Sequence, residues 1–578
     1  VTSSTDEKTD FRETHDRIRE VYGEVPDVLA EGLKSLINTC RTASSKDSGT
    51  DNGKTLWDHR DVVLITYADQ VRAPGLSPLQ AQHQFLKNNL LDELIRCVHL
   101  LPFCPSTSDD GFSVADYLAV DPEFGSWDDI RELGRDFDLM YDLVLNHSSQ
   151  AHDWFQRFIA DDPQYAHFYA TADPNDDLSS VVRPRSLPLL TPFDSPSGTR
   201  YVWTTFSADQ VDLNYANPHV MLRMITTLVE YALRGARIIR LDAIAFLWKE
   251  IGTSCLHLPQ THAAVKLMRH VLDQTVPGTI VLTETNVPHR DNISYFGDGD
   301  DEAHMVYQFS LPPLMLDAIH SGDTSVLASW MRSLTLPSSQ TTYFNFTASH
   351  DGIGVRPAEG LVPPERIDRL VQIVRDHGGR IGMRSGGDGT ESPYELNITY
   401  LDAVADRRTV VPAEHSRRFL ATQAIMLSMR GVPAVYFHSL VGSPSDLEAV
   451  ETSGIPRRIN RHKYQVDELN TALSTTDSLQ CRVFKGYQRL LDVRRRHVAF
   501  DPKADQEVLD LPTDGLLGFV RTASDGQRVT VIANLTDQAR TIRADQVSVA
   551  YQRDVLAEED LRDDVPLSLR PFQVRWLS

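Results

Sequence analysis

Asp242, Glu284 and Asp351 each stand at or just past the end of an apolar run, and their acid groups set the chemistry to be considered. Asp242 closes Arg237-Ile-Ile-Arg-Leu-Asp, Glu284 closes Gly278-Thr-Ile-Val-Leu-Thr-Glu, and His350-Asp351 follows Thr342-Tyr-Phe-Asn-Phe-Thr-Ala-Ser. A fourth run, Asp142-Leu-Val-Leu, delivers Asn146-His147. Three carboxyls from three strands suit displacement at a sugar carbon: one attacks, one protonates the leaving oxygen, and one holds the ring as it flattens. Strand alternation puts Arg240 and Asp242 on one face, where the guanidinium would orient and stabilise the carboxylate. Asp242 is therefore the expected nucleophile. Glu284 is the expected proton donor, its pKa raised by burial or by its acidic neighbours. A third carboxylate has no second attack to make, so Asp351 is assigned to the distorted ring. His147 and His350, ordinary buried histidines if met alone, become expected ligands of sugar hydroxyls beside Asn146 and Asp351. Asn146-His147 lacks metal-ligand spacing, so neither a metal nor a cofactor is expected.

Polar residues delivered at the carboxyl ends of strands are what a (β/α)8 barrel needs, because its active site is built there. Eight strands are predicted, at Val62–Tyr67, Cys97–Phe103, Leu139–Leu145, Arg237–Leu241, Thr279–Thr283, Met305–Phe309, Thr342–Thr347 and Val432–Phe437. Helical patterns such as Met221–Arg234 and His262–Leu272 separate most of them, which favours a parallel barrel over a doubly wound sheet. Two connections exceed simple barrel loops. Residues 148–216 read as a small inserted domain. Residues 352–408 hold a helix near Pro364–Asp376 and then a glycine-rich stretch, 378–389, expected to be a mobile loop beside the site. Helical periodicity over 11–42 and a polar connection from Thr42 make an N-terminal extension and linker of residues 1–57. The barrel then occupies 58–147 and 217–500. Short alternating runs at Gly518–Arg521, Arg528–Ala533 and Leu567–Trp576 predict a C-terminal β-domain over 501–578.

The chain is long enough, at 578 residues, for two or three domains. Its net charge of −23 disfavours nucleic acid and anionic membranes as partners, and is also a balance used in saline surroundings. An anionic substrate would need a local cluster of arginines or lysines. Residues 1–7 show no basic and apolar pattern of a signal peptide, and no apolar run has the length of a membrane span. Five scattered cysteines without metal spacing are expected to be reduced thiols, as in a cytoplasmic protein.

The four segments resemble the signature regions of the α-amylase superfamily, glycoside hydrolase family 13. Over nearly its whole length the chain is similar to the sucrose phosphorylase subfamily. His99-Leu-Leu-Pro-Phe-Cys-Pro-Ser-Thr-Ser-Asp109-Asp-Gly-Phe112 and Arg457-Arg-Ile-Asn-Arg461 carry that likeness. The resemblance implies that Asp109 binds the far edge of glucose, that Phe112 lines the pocket, and that Arg461 pairs with Asp109. Together they would close the pocket behind one glucosyl unit. α-Amylases place Lys-His three and four residues past the nucleophile, where this chain has Ala245 and Phe246. Sucrose phosphorylases usually carry Tyr where Phe246 stands. The flanks Phe246-Leu-Trp-Lys-Glu, Thr285-Asn-Val-Pro-His-Arg and Arg183-Pro-Arg185-Ser-Leu resemble longer members of the subfamily that act on 2-O-α-glucosylglycerate. This implies a retaining phosphorylase whose small-molecule partners are an α-glucoside, phosphate and glycerate, with self-association as a homodimer allowed. Both phosphate and glycerate are anions, and Arg183 and Arg185 are the first residues expected to bind them, with Arg384 behind them. Sucrose, sucrose 6-phosphate or glucosylglycerol as substrate, an α-glucoside hydrolase, and a catalytically silent binding protein on the same barrel are the other readings. Intact Asp242, Glu284 and Asp351 argue against the last.

Overall fold

In the computed structural model, residues 3–44, 55–184, 187–385, 391–543, 552–562 and 565–578 are described. The predicted connection from Thr42 therefore lies largely outside the described residues, as does Arg185. Eight parallel strands close into a barrel in chain order: β1 (Val63–Thr66), β2 (Cys97–Leu100), β3 (Asp138–Val144), β4 (Ala236–Asp242), β5 (Ile280–Thr283), β6 (Met305–Tyr307), β7 (Thr342–Asn345) and β8 (Val432–Tyr436). Val63 of β1 meets Ala434 of β8, so the barrel has no free edge. Nearly every residue of these strands is buried, because the barrel interior takes one face and the helical ring the other. That is why the strands read as apolar runs. Connecting helices obey local signals. Asn217 caps Pro218–Leu233 by accepting from the His219 N–H, Pro218 takes the first turn, and Gly235 at φ 98° leads into β4.

The register does the positioning. Asp142 of β3 lies opposite Arg240 of β4, and Val144 opposite Asp242, so Asp142, Arg240 and Asp242 share one face. After β3, His147–Ser149 pairs antiparallel with Gln210–Asp212, fastening the base of the inserted segment. Above it stand the hairpin Leu190–Ser195 with Gly198–Trp203 and a small core of Ala170, Val181, Leu189, Trp203 and Cys255.

Two expectations need correction, and one takes a finer form. The 11–42 periodicity is two helices, Ser3–Tyr22 and Asp27–Ser44, because Gly23 at φ 75° and Pro26 break the run. They pack on Pro218–Leu233 and Pro259–Thr275, with Gly32 so close to Leu222 that a Cβ would sit 2.4 Å from its side chain. The glycine-rich stretch is no continuous loop. Arg380–Ser385 pairs with Glu391–Asn397, which also pairs with Ile353–Gly354, and only 386–390 lie outside the described residues. Finally, Leu567–Trp576 is not one strand. Leu567–Leu569 pairs with Arg540–Ile542, while Val574–Leu577 joins a six-stranded antiparallel sheet. Pro571, which has no N–H to donate, and Phe572 at φ 54° turn the chain between the two.

Candidate active site

At the carboxyl end of the barrel one cavity gathers Asp242, Glu284 and Asp351 with Asp109, Phe112, His147, Arg240, Phe246 and His350. Asp242 ends β4, and the Arg240 Nη1 donates to its Oδ1 at 2.7 Å. The same guanidinium pairs with Asp142 and lies 3.8 Å from Glu284 Oε2. Asp142 in turn meets His99 Nε2 at 2.6 Å. Burial would raise the Asp142 carboxyl, but Arg240 and His99 hold it down at about 2. Arg240 is therefore held by an ionised partner and presents its remaining donors to Asp242 and Glu284. Immediately after Asp242, Ala243 adopts a left-handed conformation (φ 50°, ψ 29°) and its N–H donates to Glu284 Oε2 at 3.0 Å. Such a conformation costs a residue with a Cβ roughly 1–3 kcal/mol and concentrates at functional sites.

Burial pushes the carboxyls of Asp242 and Glu284 upward, and their acidic neighbours add to the rise, Glu284 first for Asp242 and Asp351 for Glu284. Arg240 opposes the rise at both, and it is nearer to Asp242. The negative charge therefore rests best on Asp242 and the proton on Glu284.

Asp351 differs from its expected placing on a strand. It lies in the loop beyond β7, and its position is set by arginines instead. Arg457 Nη1 meets Asp351 Oδ1 at 2.6 Å, while Arg457 also grips Glu395 at 2.9 Å. Arg461 Nη2 is 3.7 Å away and the Arg461 Nε donates to the His350 carbonyl at 2.9 Å. Burial alone would raise the Asp351 carboxyl, but the guanidinium groups of Arg457 and Arg461 hold it well below the usual carboxylate range. Burial pushes His350 down to about 3, so its ring is neutral, and it stacks on Phe112 with centroids 4.7 Å apart.

The expected pairing of Arg461 with Asp109 is also altered. Arg461 Nη1 is 2.7 Å from Asp110 and 3.5 Å from Asp109, and Arg461 lies behind the cavity wall, not in it. Asp109 and Asp110 both have positive φ (52° and 49°), and Gly111 follows at φ 113°, where a Cβ would come 2.6 Å from the Pro102 carbonyl oxygen. That bend turns Asp109 to the cavity and Asp110 to the arginines. His147 Nε2 lies 2.9 Å from the Phe112 carbonyl and 3.1 Å from Gln210 Nε2, and burial lowers its pKa.

Arg183 does not reach the cavity: its guanidinium donates to the Leu187 carbonyl at 3.4 Å, and the neighbouring Pro184 lines the wall instead. Arg384 is taken up by Glu359 at 2.9 Å and Ser392. The sequence reading missed Arg457, Gln210, Phe206, Asn286, Arg356 and Tyr394, all of which line the cavity. Arg457 stood within a segment already singled out, and only the folded chain chooses it over Arg461 as the partner of Asp351. Among the described residues no group of three or more His, Cys, Asp or Glu could hold a metal ion. Lys249 Nζ instead lies 2.7 Å from Asn146 Oδ1 and 2.8 Å from Asp212 Oδ2, a cation already built into the end of β3.

A barrel with these carboxyls at its carboxyl end defines a class, and comparison with known proteins agrees. The family model for the alpha amylase catalytic domain matches residues 90–352, and that of the D-apionate lactonase C-terminal immunoglobulin-like domain matches 513–577. The chain belongs to the α-amylase family. Among its relatives is a glucosylglycerate phosphorylase of Allomeiothermus silvanus, 53% identical over 84% of this chain and 87% of that one. A glucosylglycerate phosphorylase of Escherichia coli is 45% identical over 97% and 99% of the two chains. The crystal structure of sucrose 6F-phosphate phosphorylase from Thermoanaerobacter thermosaccharolyticum superposes with a TM-score of 0.71 at 25% identity, covering 82% of this chain and 94% of that one. Within the family the chain is a glycoside phosphorylase.

Proposed function

We propose that this enzyme transfers the α-glucosyl group of 2-O-α-glucosylglycerate to inorganic phosphate, giving α-glucose 1-phosphate and glycerate. The observation that carries the chemistry is the shared guanidinium of Arg240, 2.7 Å from Asp242 and 3.8 Å from Glu284. It keeps Asp242 ionised for attack on the anomeric carbon, while burial keeps Glu284 protonated to meet the departing glycerate oxygen. A covalent β-glucosyl intermediate on Asp242 results. Phosphate then attacks from the vacated side, Glu284 accepts its proton, and the α configuration is restored. Asp351, held ionised by Arg457, binds the sugar hydroxyls and gains strength as the ring flattens. Phe112, His147, His350 and Asp109 bound the glucosyl unit. Arg461 acts on them through Asp109, Asp110 and Asp351 instead of touching sugar. Phe246 and Phe206, 5.4 Å apart, form an apolar wall where the leaving group departs.

All five cysteines are free and buried, which suits a reducing compartment, so we place the reaction in the cytoplasm. Among the described residues no helix is long and apolar enough to cross a membrane.

The acceptor is tested by supplying glucose 1-phosphate with glycerate, glycerol, fructose or fructose 6-phosphate and following phosphate release. D-glycerate should give the highest kcat/KM. Fructose or glycerol outrunning it would overturn the acceptor and leave the glucosyl transfer standing.

A further inference from the structure

Among the described residues three arginines line the cavity wall, and two of them are consumed by carboxylates. Arg240 serves Asp142 and Asp242, and Arg457 serves Asp351 and Glu395. The Arg356 guanidinium makes neither a hydrogen bond nor an ion pair among the described residues, although the residue is partly buried in the same wall. It opens the short turn Arg356–Ala358, directly after the strand Ile353–Gly354 that belongs to the sheet of the long β7–β8 connection. Glu359, the nearest acid along the chain, is already bound by Arg384. Asp291 and Glu359 attract Arg356 only at longer range, so its guanidinium donors stay unused. Across the wall lies Asn286, whose Oδ1 is buried without a hydrogen-bond partner. Gly354 makes room for it: a Cβ there would stand 2.6 Å from that oxygen. An unpaired guanidinium thus lines one cavity whose wall also holds four acids, Asp109, Asp242, Glu284 and Asp351.

We propose that Arg356 is the anion anchor of the acceptor side, binding phosphate and the carboxylate of glycerate in turn. The carboxylate part rests on the function proposed above; the phosphate part rests only on transfer to phosphate. A guanidinium suits both ligands because its fork matches two oxygens at once. It also gives a chain of net charge −23 the local cation that an anionic acceptor requires.

The test uses α-glucosyl fluoride as donor, so that the glucosyl-enzyme forms without glycerate. Phosphate and water then compete for it, and the ratio of glucose 1-phosphate to glucose reports acceptor binding within one reaction. In Arg356→Gln the phosphate concentration giving equal amounts of the two products should rise roughly ten- to a hundredfold. Hydrolysis should fall far less. Partitioning to glycerate should suffer like phosphate, and partitioning to neutral glycerol should change by much less. Arg356→Lys should recover part of the loss, since it keeps the charge without the fork. An unchanged phosphate-to-water ratio in both variants, with thermal unfolding near that of the parent, would overturn the assignment, as would equal losses toward phosphate, glycerol and water. If the parent enzyme uses phosphate but ignores glycerate, the proposed substrate fails while the phosphate arm still decides the role of Arg356.

Discussion

At the scale of single residues the site is a problem of distributing charge among buried acids. Four carboxyls, those of Asp142, Asp242, Glu284 and Asp351, surround Arg240, and one proton must be placed among the reacting pair. Asp242→Asn keeps the shape and removes the proposed nucleophile. Turnover should fall by several orders of magnitude, beyond the ~10²–10⁴-fold that acid–base assistance supplies, with the thermal unfolding profile preserved. Retention of more than a few per cent of activity would mean that another group attacks. Glu284→Gln should slow the natural donor strongly and spare α-glucosyl fluoride, whose leaving group needs no proton. Because burial raises the Glu284 pKa, the acid form is lost as pH rises through that value, so kcat/KM should decline on the alkaline side. In Glu284→Gln that limb should vanish, and its persistence would assign it to a different group.

At the scale of elements, the site depends on loops tied to strand ends. Lys249, in the loop after β4, bonds Asn146 just past β3 and Asp212 on the strand closing the inserted segment. Asp212 is fully buried and also accepts from the Thr205 N–H at 3.1 Å. Removing the cation would strand that carboxylate, a change that usually costs about 3–5 kcal/mol. Lys249→Met should therefore lower the urea midpoint clearly, and loosen the inserted segment against the barrel. An unchanged midpoint would show that Thr205 and Asn146 suffice for Asp212. With the ammonium in that position, a chelator should leave the rate of phosphorolysis unchanged, and a loss restored by calcium would contradict this.

For the whole molecule, burial of histidines should govern acid stability. Burial pushes His350 down to about 3 and His152, His257 and His320 to about 4, whereas an unfolded histidine titrates near 6.5. Folded pKa values below the unfolded one mean that the unfolded chain binds more protons as the medium acidifies. The stability these groups contribute is present above about pH 6.5 and is lost as pH falls toward 4, by up to ~1.4 kcal/mol per pH unit for a fully buried ring. Urea midpoints at pH 7, 6 and 5 should decrease in that order. A flat series would show that the rings are protonated within the fold.

How much of this could be read before folding depends on the range of each interaction. A barrel strand is buried on both faces, so its residues are apolar until the strand ends, and polar chemistry is confined to that end. All eight strands and the positions of Asp242 and Glu284 follow from that local rule, and so does the shared face of Arg240 and Asp242. Turns set by a single residue were harder, as at Phe572, where one left-handed φ splits an apparent strand between two sheets. The arginines were illegible. Arg457 and Arg461 are equally charged and close together, and only the path of the chain around Asp351 gives the first the acid and the second the wall behind Asp109 and Asp110. Arg183 bonds the Leu187 carbonyl instead of lining the cavity, while Arg356 carried no local signal at all. Charge pairs are made between segments that closure of the barrel brings together, and no spacing along the chain records which side chain arrives first. The sequence by itself determined the barrel and its acids; the tertiary structure decided which cations those acids keep, and which one they leave unpaired.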